Sequence, residues 1–194
     1  AANFVGTQRL VKKVRDRELK DIFSDYHREN FWGNDESVSG PGSTLKYTER
    51  LRMALPALFS KYEIGSILDA PCGDYNWFRH VERSADLSYI GADIVPDLIK
   101  KNNERFENNN TSFRVIDITK DALPASDLWI CRDALFHLSN EHILAALNNF
   151  LKSEIKYLLT TSNVECTKNK VILTGHCRLL NLQLAPFNFP PPLK

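Results

Sequence analysis

Five short apolar runs recur through the chain, and most are followed by a helical pattern. They are "SILDA" at 66–70, "LSYIGADI" at 87–94, "TSFRVIDI" at 111–118, "DLWICRD" at 127–133 and "IKYLLTTS" at 155–162. Runs that are apolar at nearly every position suit strands buried on both faces, the condition of a parallel sheet covered by helices. The pattern predicts an α/β, doubly wound, mostly parallel sheet with helices on both faces. Trp77, Phe78 and Val81 begin one intervening helix. Pro96 fits the first turn of the next, whose apolar face is Leu98, Ile99 and Phe106. Ser139 is placed to cap a third, with Ile143, Leu144, Leu147 and Phe150 facing inward.

The two ends read differently. Residues 4–30 form a charged helical extension with Leu10, Val14, Leu19, Ile22, Phe23 and Tyr26 as its stripe. "FWGNDESVSGPGST" follows, a loop long enough to be functional or mobile. Ser43 or Thr44 caps a helix running to about Tyr62, and Pro56 inside it is expected to kink or restart it. At the other end Pro186, Pro190, Pro191 and Pro192 rule out a central strand. A seven-stranded sheet needs two further strands that this tail does not provide, so either the sheet is trimmed or the natural chain continues past Lys194. The organisation read here is one structural domain. Residues 1–62 give N-terminal helices and a lid-like loop, and residues 63–194 give the α/β core with a Pro-rich C-terminal segment.

Composition narrows the partners. A length of 194 residues suits one domain, and 43% hydrophobic residues suffice for a core. A formal net charge of +1 calls for neither nucleic acid nor an anionic membrane. No apolar run approaches the roughly 20 residues that span a bilayer. The first residues are charged too early for a secretory signal. Cys72, Cys131, Cys166 and Cys177 show no metal-binding spacing, so free thiols, a reducing cytoplasmic setting and no metal are expected.

Open parallel sheets bind ligands beyond the carboxyl ends of their strands, where strand order reverses. The turn after the first strand needs small residues so that its backbone can approach the ligand. "DAPCGDYNW" supplies Ala70, Cys72 and Gly73 there, but no GxGxxG, which removes the main support for a dinucleotide. Acids end the first three strands: Asp69 near where a cationic amino group would sit, Asp93 placed for ribose hydroxyls, and Asp117 placed for an adenine amino group. Strand-end Asp residues also serve as turn formers. Three in succession after a small-residue turn favour a nucleoside ligand.

The order of these motifs resembles the class I S-adenosylmethionine-dependent methyltransferases. Their first motif usually reads DxGxGxG; here Pro71 takes the first Gly position, Gly73 the second and Tyr75 the third. "SVSGPGSTLKYT", "ILDAPCGDYNWF", "YIGADIVPDLIKKN" and "LWICRDALFHLS" further resemble an uncharacterised methyltransferase-like group with this Pro-Cys-Gly-Asp loop. The resemblance covers about residues 31–190 and implies a Rossmann-like methyltransferase fold with S-adenosylmethionine as cofactor. It implies that Asp69, Ala70, Pro71, Cys72 and Gly73 shape the methionine end of the pocket. Asn76 and Trp77 would replace contacts that glycines normally permit. Asp93 and Ile94 would take the ribose and adenine edge, Asp117 and Ile118 would flank adenine, and Cys131 and Arg132 would lie beside the sulfonium. Pro71 removes a backbone donor, and Tyr75 brings a ring to the loop.

Methyl transfer needs a positioned acceptor and, for some acceptors, a base. The candidates follow the fourth strand: Arg132, Asp133 and His137. His137 is suited to act as a base near neutral pH, with Asp133 orienting it or binding the acceptor. Arg132 is suited to a carboxylate or phosphate on the substrate. The plainer alternative is a structural His137 near a helix cap and a local Arg132–Asp133 ion pair. Ser39, Gly40, Gly42 and Ser43 suit a flap over the cofactor with Trp32 packed against it, or a simple joining loop. His176 and Arg178 are polar candidates in the tail. The function expected is methyl transfer to a small molecule, with oligomeric state open. The rival readings are a catalytically inactive methyltransferase-like binding protein, an NAD oxidoreductase and an RNA methyltransferase, the last opposed by the near-neutral charge.

Overall fold

The computed structural model describes residues 17–193. The part of the N-terminal helix expected over 4–16, with Leu10 and Val14, lies outside the described residues. Helix α1 (Leu19–Arg28) is followed by the long loop, then α2 (Leu45–Lys61), which Thr44 caps by accepting from Tyr47 N–H at 3.3 Å. Strands β1 (Ser66–Asp69), β2 (Ser88–Asp93), β3 (Thr111–Val115), β4 (Leu128–Cys131) and β5 (Tyr157–Thr160) fall within the five apolar runs. Helix α3 (Pro96–Phe106) joins β2 to β3, and α4 (Asn140–Lys152) joins β4 to β5. Pro96 lies in the first turn of α3, and Ser139 caps α4 through His142 N–H.

The sheet is parallel throughout, in the order β3-β2-β1-β4-β5. Strand order reverses between β1 and β4. Side chains alternate between two cores, as the period of a strand requires. On one face Leu68, Trp129 and Cys131 pack with Ile143, Ala146 and Leu147 of α4, Leu19 of α1, and Leu180 and Leu182 of the tail. On the other, Ile67, Tyr89, Phe113, Leu128 and Ile130 pack with Leu55 and Phe59 of α2 and Ile99 of α3. The buried Trp129 satisfies its indole N–H on Ala70 O at 2.8 Å.

Two local expectations need correction. Of the kink or restart expected at Pro56, the restart does not occur: helix α2 is continuous through it, its buried Leu55 and Phe59 packing on the sheet. The helix expected from Trp77 is only a single 3-10 turn, Phe78–His80. Tyr75 turns left-handed at φ +59°, and its ring enters the core among Phe78, Tyr89, Phe106 and Phe113 instead of crowding the ligand side. Buried Trp77, Phe78, Val81 and Leu87 then fill the face a crossover helix would cover. After β5 the tail forms no strand among the described residues; its Leu180 carbonyl accepts from Asn163 N–H at 2.7 Å.

Candidate functional site

A cavity of about 300 Å³ opens beyond the carboxyl ends of β1, β2 and β4, where strand order reverses. Of the residues singled out in the sequence, Pro71, Cys72, Gly73, Asp93, Ile94, Asp117, Ile118, Arg132, Asp133 and His137 line it. Asp69, Ala70, Asn76, Trp77 and Cys131 do not. Asp69 is 1% exposed and accepts the Tyr89 hydroxyl at 2.8 Å on the sheet face below. Ala70 and Cys131 are fully buried on the opposite face. Trp77 is buried in the core beside the guanidinium of Arg132. The Asn76 amide reaches away, donating to Glu36 Oε1 at 2.8 Å and to Ser43 O at 3.1 Å.

The loop after β1 keeps its donors to itself. Pro71 has none. Cys72 N–H donates to Ala92 O at 2.7 Å, Gly73 N–H to Asp93 Oδ2 at 3.2 Å, and Asp74 N–H to Ser39 Oγ at 3.0 Å. No backbone N–H of residues 71–74 is left to cradle a diphosphate, which argues against a dinucleotide independently of the missing glycines. Gly73 sits at φ +57°, and a Cβ there would overlap the Ser39 side chain. Glycine is therefore required both for the turn and for the approach of the flap.

Asp93 closes β2, with Oδ1 accepting from Val95 N–H at 3.1 Å and Oδ2 from Gly73 N–H. Each oxygen keeps lone-pair capacity for a ligand hydroxyl. Burial raises its pKa to about 6, and burial likewise raises that of Asp69 to about 7. Burial pushes the thiols of Cys72 and Cys131 up, so neither is a thiolate near neutral pH. Ile94, Val95, Leu98, Ile116 and Ile118 give this end apolar walls. Asp117 Oδ1 is engaged by Thr119 N–H at 2.9 Å and Thr119 Oγ1 at 2.6 Å.

At the other end, Arg132 pairs with Asp133 at 2.7 Å and donates to Gly42 O at 2.7 Å. Its guanidinium lies between the rings of Trp77 and Tyr47. Asp133, at φ +50°, accepts the Thr161 hydroxyl at 2.8 Å. The ion pair read as the plainer alternative is therefore present, and it also ties the flap to the end of β4. His137 stands in a 3-10 turn, Leu135–His137, with Nδ1 3.0 Å from His176 O and Trp32 and Phe136 against its ring. Burial lowers its pKa, against the opposing pull of that carbonyl and Asp133.

The flap and α1 complete the enclosure. Val38, Ser39, Gly40, Pro41, Gly42 and Ser43 line the cavity, and Ser37, Val38 and Ser39 are held by Asp74. Leu19, Phe23 and His27 of α1 line it as well. In the sequence Leu19 and Phe23 belong to a core stripe, and no motif singles out His27. The i, i+4 spacing of the three, which puts them on one helix face, was the available signal. Among the described residues no cluster of His, Cys, Asp and Glu could hold a metal ion. Nor is any helix of the described residues long and apolar enough to cross a membrane.

Residues 67–153 match the family model of a methyltransferase domain. No curated protein sequence matches the chain. Among solved structures the fold is similar to a DhpI–SAH complex, with 16% identity over 84% of this chain and 81% of that one and a TM-score of 0.56. It is also similar to the methyltransferase domain of bacterial CtHen1-CN, with 13% identity, 66% and 75% coverage and a TM-score of 0.52. The N-methyltransferase NodS from Bradyrhizobium japonicum WM9 in complex with S-adenosyl-L-homocysteine is comparable, at 17% identity, 66% coverage of each chain and a TM-score of 0.50. Residues 67–153 thus match a methyltransferase domain, and the chain shares the α/β fold of these solved structures.

Proposed function

We propose that the protein transfers a methyl group from S-adenosylmethionine to a small-molecule acceptor. One observation carries the reading: one cavity at the strand-order reversal is lined both by the buried Asp93 carboxylate and by the Arg132–Asp133–His137 group. The residues present fit the cofactor. Asp93 offers a preorganised acceptor for ribose hydroxyls, each charge-assisted bond contributing about 1.5–3 kcal/mol. Ile94, Val95, Leu98, Ile116 and Ile118 suit the faces of an adenine, with Asp117 at its edge. Pro71, Cys72 and Gly73 face the methionine end, and the closed donor set of that loop suits a ligand without phosphates.

When bound, S-adenosylmethionine supplies an electrophilic methyl on a sulfonium, which leaves as a neutral thioether. The chain's own part is positioning and proton transfer. The His176 carbonyl can only accept, so His137 Nδ1 carries the proton and donates to it. Nε2 then holds the lone pair and takes the acceptor's proton as the methyl arrives. The lowered pKa keeps the ring neutral near pH 7. Trp32 and Phe136 flank it. Arg132 is already engaged by Asp133 and Gly42 O, so its role is to fasten the flap rather than to hold an acidic acceptor. The flap and helices of residues 17–62 act as the covering segment for the core. Four free cysteines fit a cytoplasmic setting.

Calorimetry with S-adenosylmethionine, S-adenosylhomocysteine and NAD tests this. Binding of the first two but not NAD, lost in Asp93→Ala with the fold retained, is expected. Unchanged affinity in Asp93→Ala would sink the pocket assignment.

A further inference from the structure

Arg178 presents a buried cation without an acid. It is 6% exposed, no carboxylate forms an ion pair with it among the described residues, and its Nε has no hydrogen-bond partner. Its other nitrogens meet neutral acceptors: Nη2 donates to Leu138 O at 3.0 Å, Nη1 to Asn140 Oδ1 at 2.8 Å and to Lys170 O. Burying a guanidinium this way is costly, and hydrogen bonds to carbonyls offset the cost only in part.

What it holds is the loop carrying His137. Around Arg178 the tail lies along that loop bond by bond. Arg178 N–H donates to Phe136 O at 3.3 Å, and Gly175 N–H to His137 O at 2.8 Å. Thr174 Oγ1 accepts from Ser139 N–H at 2.9 Å, and His176 O meets His137 Nδ1. Gly175 O also accepts the Tyr26 hydroxyl of α1 at 2.8 Å, so the same segment touches the helix that roofs the cavity. Gly175, at φ +94°, lies where a Cβ would be 2.9 Å from Ile22 Cγ2.

We propose that Arg178 is a positioning residue for His137: its guanidinium clamps residues 174–178 onto the loop, so that the His176 carbonyl holds the imidazole in the Nδ1–H tautomer with Nε2 unprotonated. This rests on His137 being the base, as argued above. Arg178 touches neither cofactor nor acceptor in this role. It acts through the orientation and tautomer of another side chain.

The test uses the full chain labelled with ¹⁵N-histidine, read by two-bond ¹H–¹⁵N correlation, together with S-adenosylhomocysteine affinity. Wild type is expected to show His137 protonated on Nδ1. Arg178→Met is expected to give a mixture of tautomers at His137 while S-adenosylhomocysteine affinity stays within about threefold. An Nε2–H tautomer in wild type, or an unaltered tautomer in the folded variant, overturns the proposal. If Arg178→Met does not fold, Arg178→Lys, which keeps the charge and loses the planar fork, is judged by the same two results. Wild-type protein that fails to bind S-adenosylhomocysteine would sink the functional reading while leaving the tautomer measurement to decide this one.

Discussion

The carboxylate of Asp74 holds the backbone of Val38, its Oδ2 accepting the Val38 N–H at 3.0 Å across 36 positions of sequence. Oδ1 takes the hydroxyls of Ser37 at 3.0 Å and Ser39 at 3.3 Å. The Pro-Cys-Gly-Asp loop therefore ends in a clasp for the flap above it. Hydrogen bonds to a charged acceptor contribute about 1.5–3 kcal/mol, and removing this acceptor strands several donors at once. Asp74→Ala should accelerate hydrogen exchange at the Val38 amide at least about tenfold while exchange in β1 and β4 stays unchanged. Equal protection of Val38 in both proteins would show that the flap is held elsewhere.

Gly73 answers to the same contact. A Cβ at this position would lie 2.9 Å from Ser39 Cβ, on a backbone at φ +57°. Gly73→Ala should lower stability by about 1–3 kcal/mol, part from the left-handed backbone and part from the displaced flap. Ser39→Gly removes the clash but also the Ser39 hydroxyl's bonds with Asp74, so the two losses should overlap and the double variant should lose less than their sum. Chemical denaturation of the four proteins checks this; strictly additive losses would separate the two residues.

Much of this arrangement is legible in the sequence. Strands buried on both faces are apolar runs in the sequence, which locates β1 to β5, and Asp93 and Asp117 follow as acids next to strand ends. Where the reading failed, the cause was the direction of one side chain or one backbone turn. Asp69 ends β1 much as Asp93 ends β2, yet Tyr89 on the neighbouring strand captures it, a partnership between residues 20 apart that no local pattern announces. Asn76 and Trp77 are expected at the ligand in place of the contacts that glycines normally permit. The left-handed Tyr75 sends the chain away first. His27 comes from a helix with no motif, and only the packing of α1 over the sheet brings it to the cavity.

Asp69 gives a stability prediction with a definite sign. Its folded pKa is raised to about 7, by burial, from the ordinary 3.8 of an aspartate. Between those values the folded state binds more protons than the unfolded state, so stability falls as pH rises through that window. Below it the contribution is fully present, and above about pH 7 it is lost. Asp69→Asn keeps an acceptor for the Tyr89 hydroxyl and cannot ionise. The variant should have a flatter stability profile between pH 4 and 7 and be the more stable protein at pH 8, by on the order of 1–3 kcal/mol. Urea denaturation at pH 4.5, 6 and 8 decides it, and parallel profiles would mean that the buried carboxylate is not the titrating group.

Asp93 titrates in an overlapping range but faces the cavity, so its signature belongs to binding. Burial raises it to about 6, while the N–H groups of Val95 and Gly73 hold it down and Asp74 adds a small upward push. Ribose hydroxyls donate, and they need the ionised carboxylate. Above pH 7 the group is ionised and affinity should be flat. Below pH 6 each bound ligand must first displace a proton, so S-adenosylhomocysteine should bind about tenfold more weakly at pH 5 than at pH 7. Asp93→Asn should bind at least about tenfold more weakly at pH 7 and show no such dependence. Asp69→Asn, whose substitution lies outside the cavity, should keep the wild-type profile. A profile abolished by Asp69→Asn and preserved in Asp93→Asn would exchange the roles assigned to the two carboxylates.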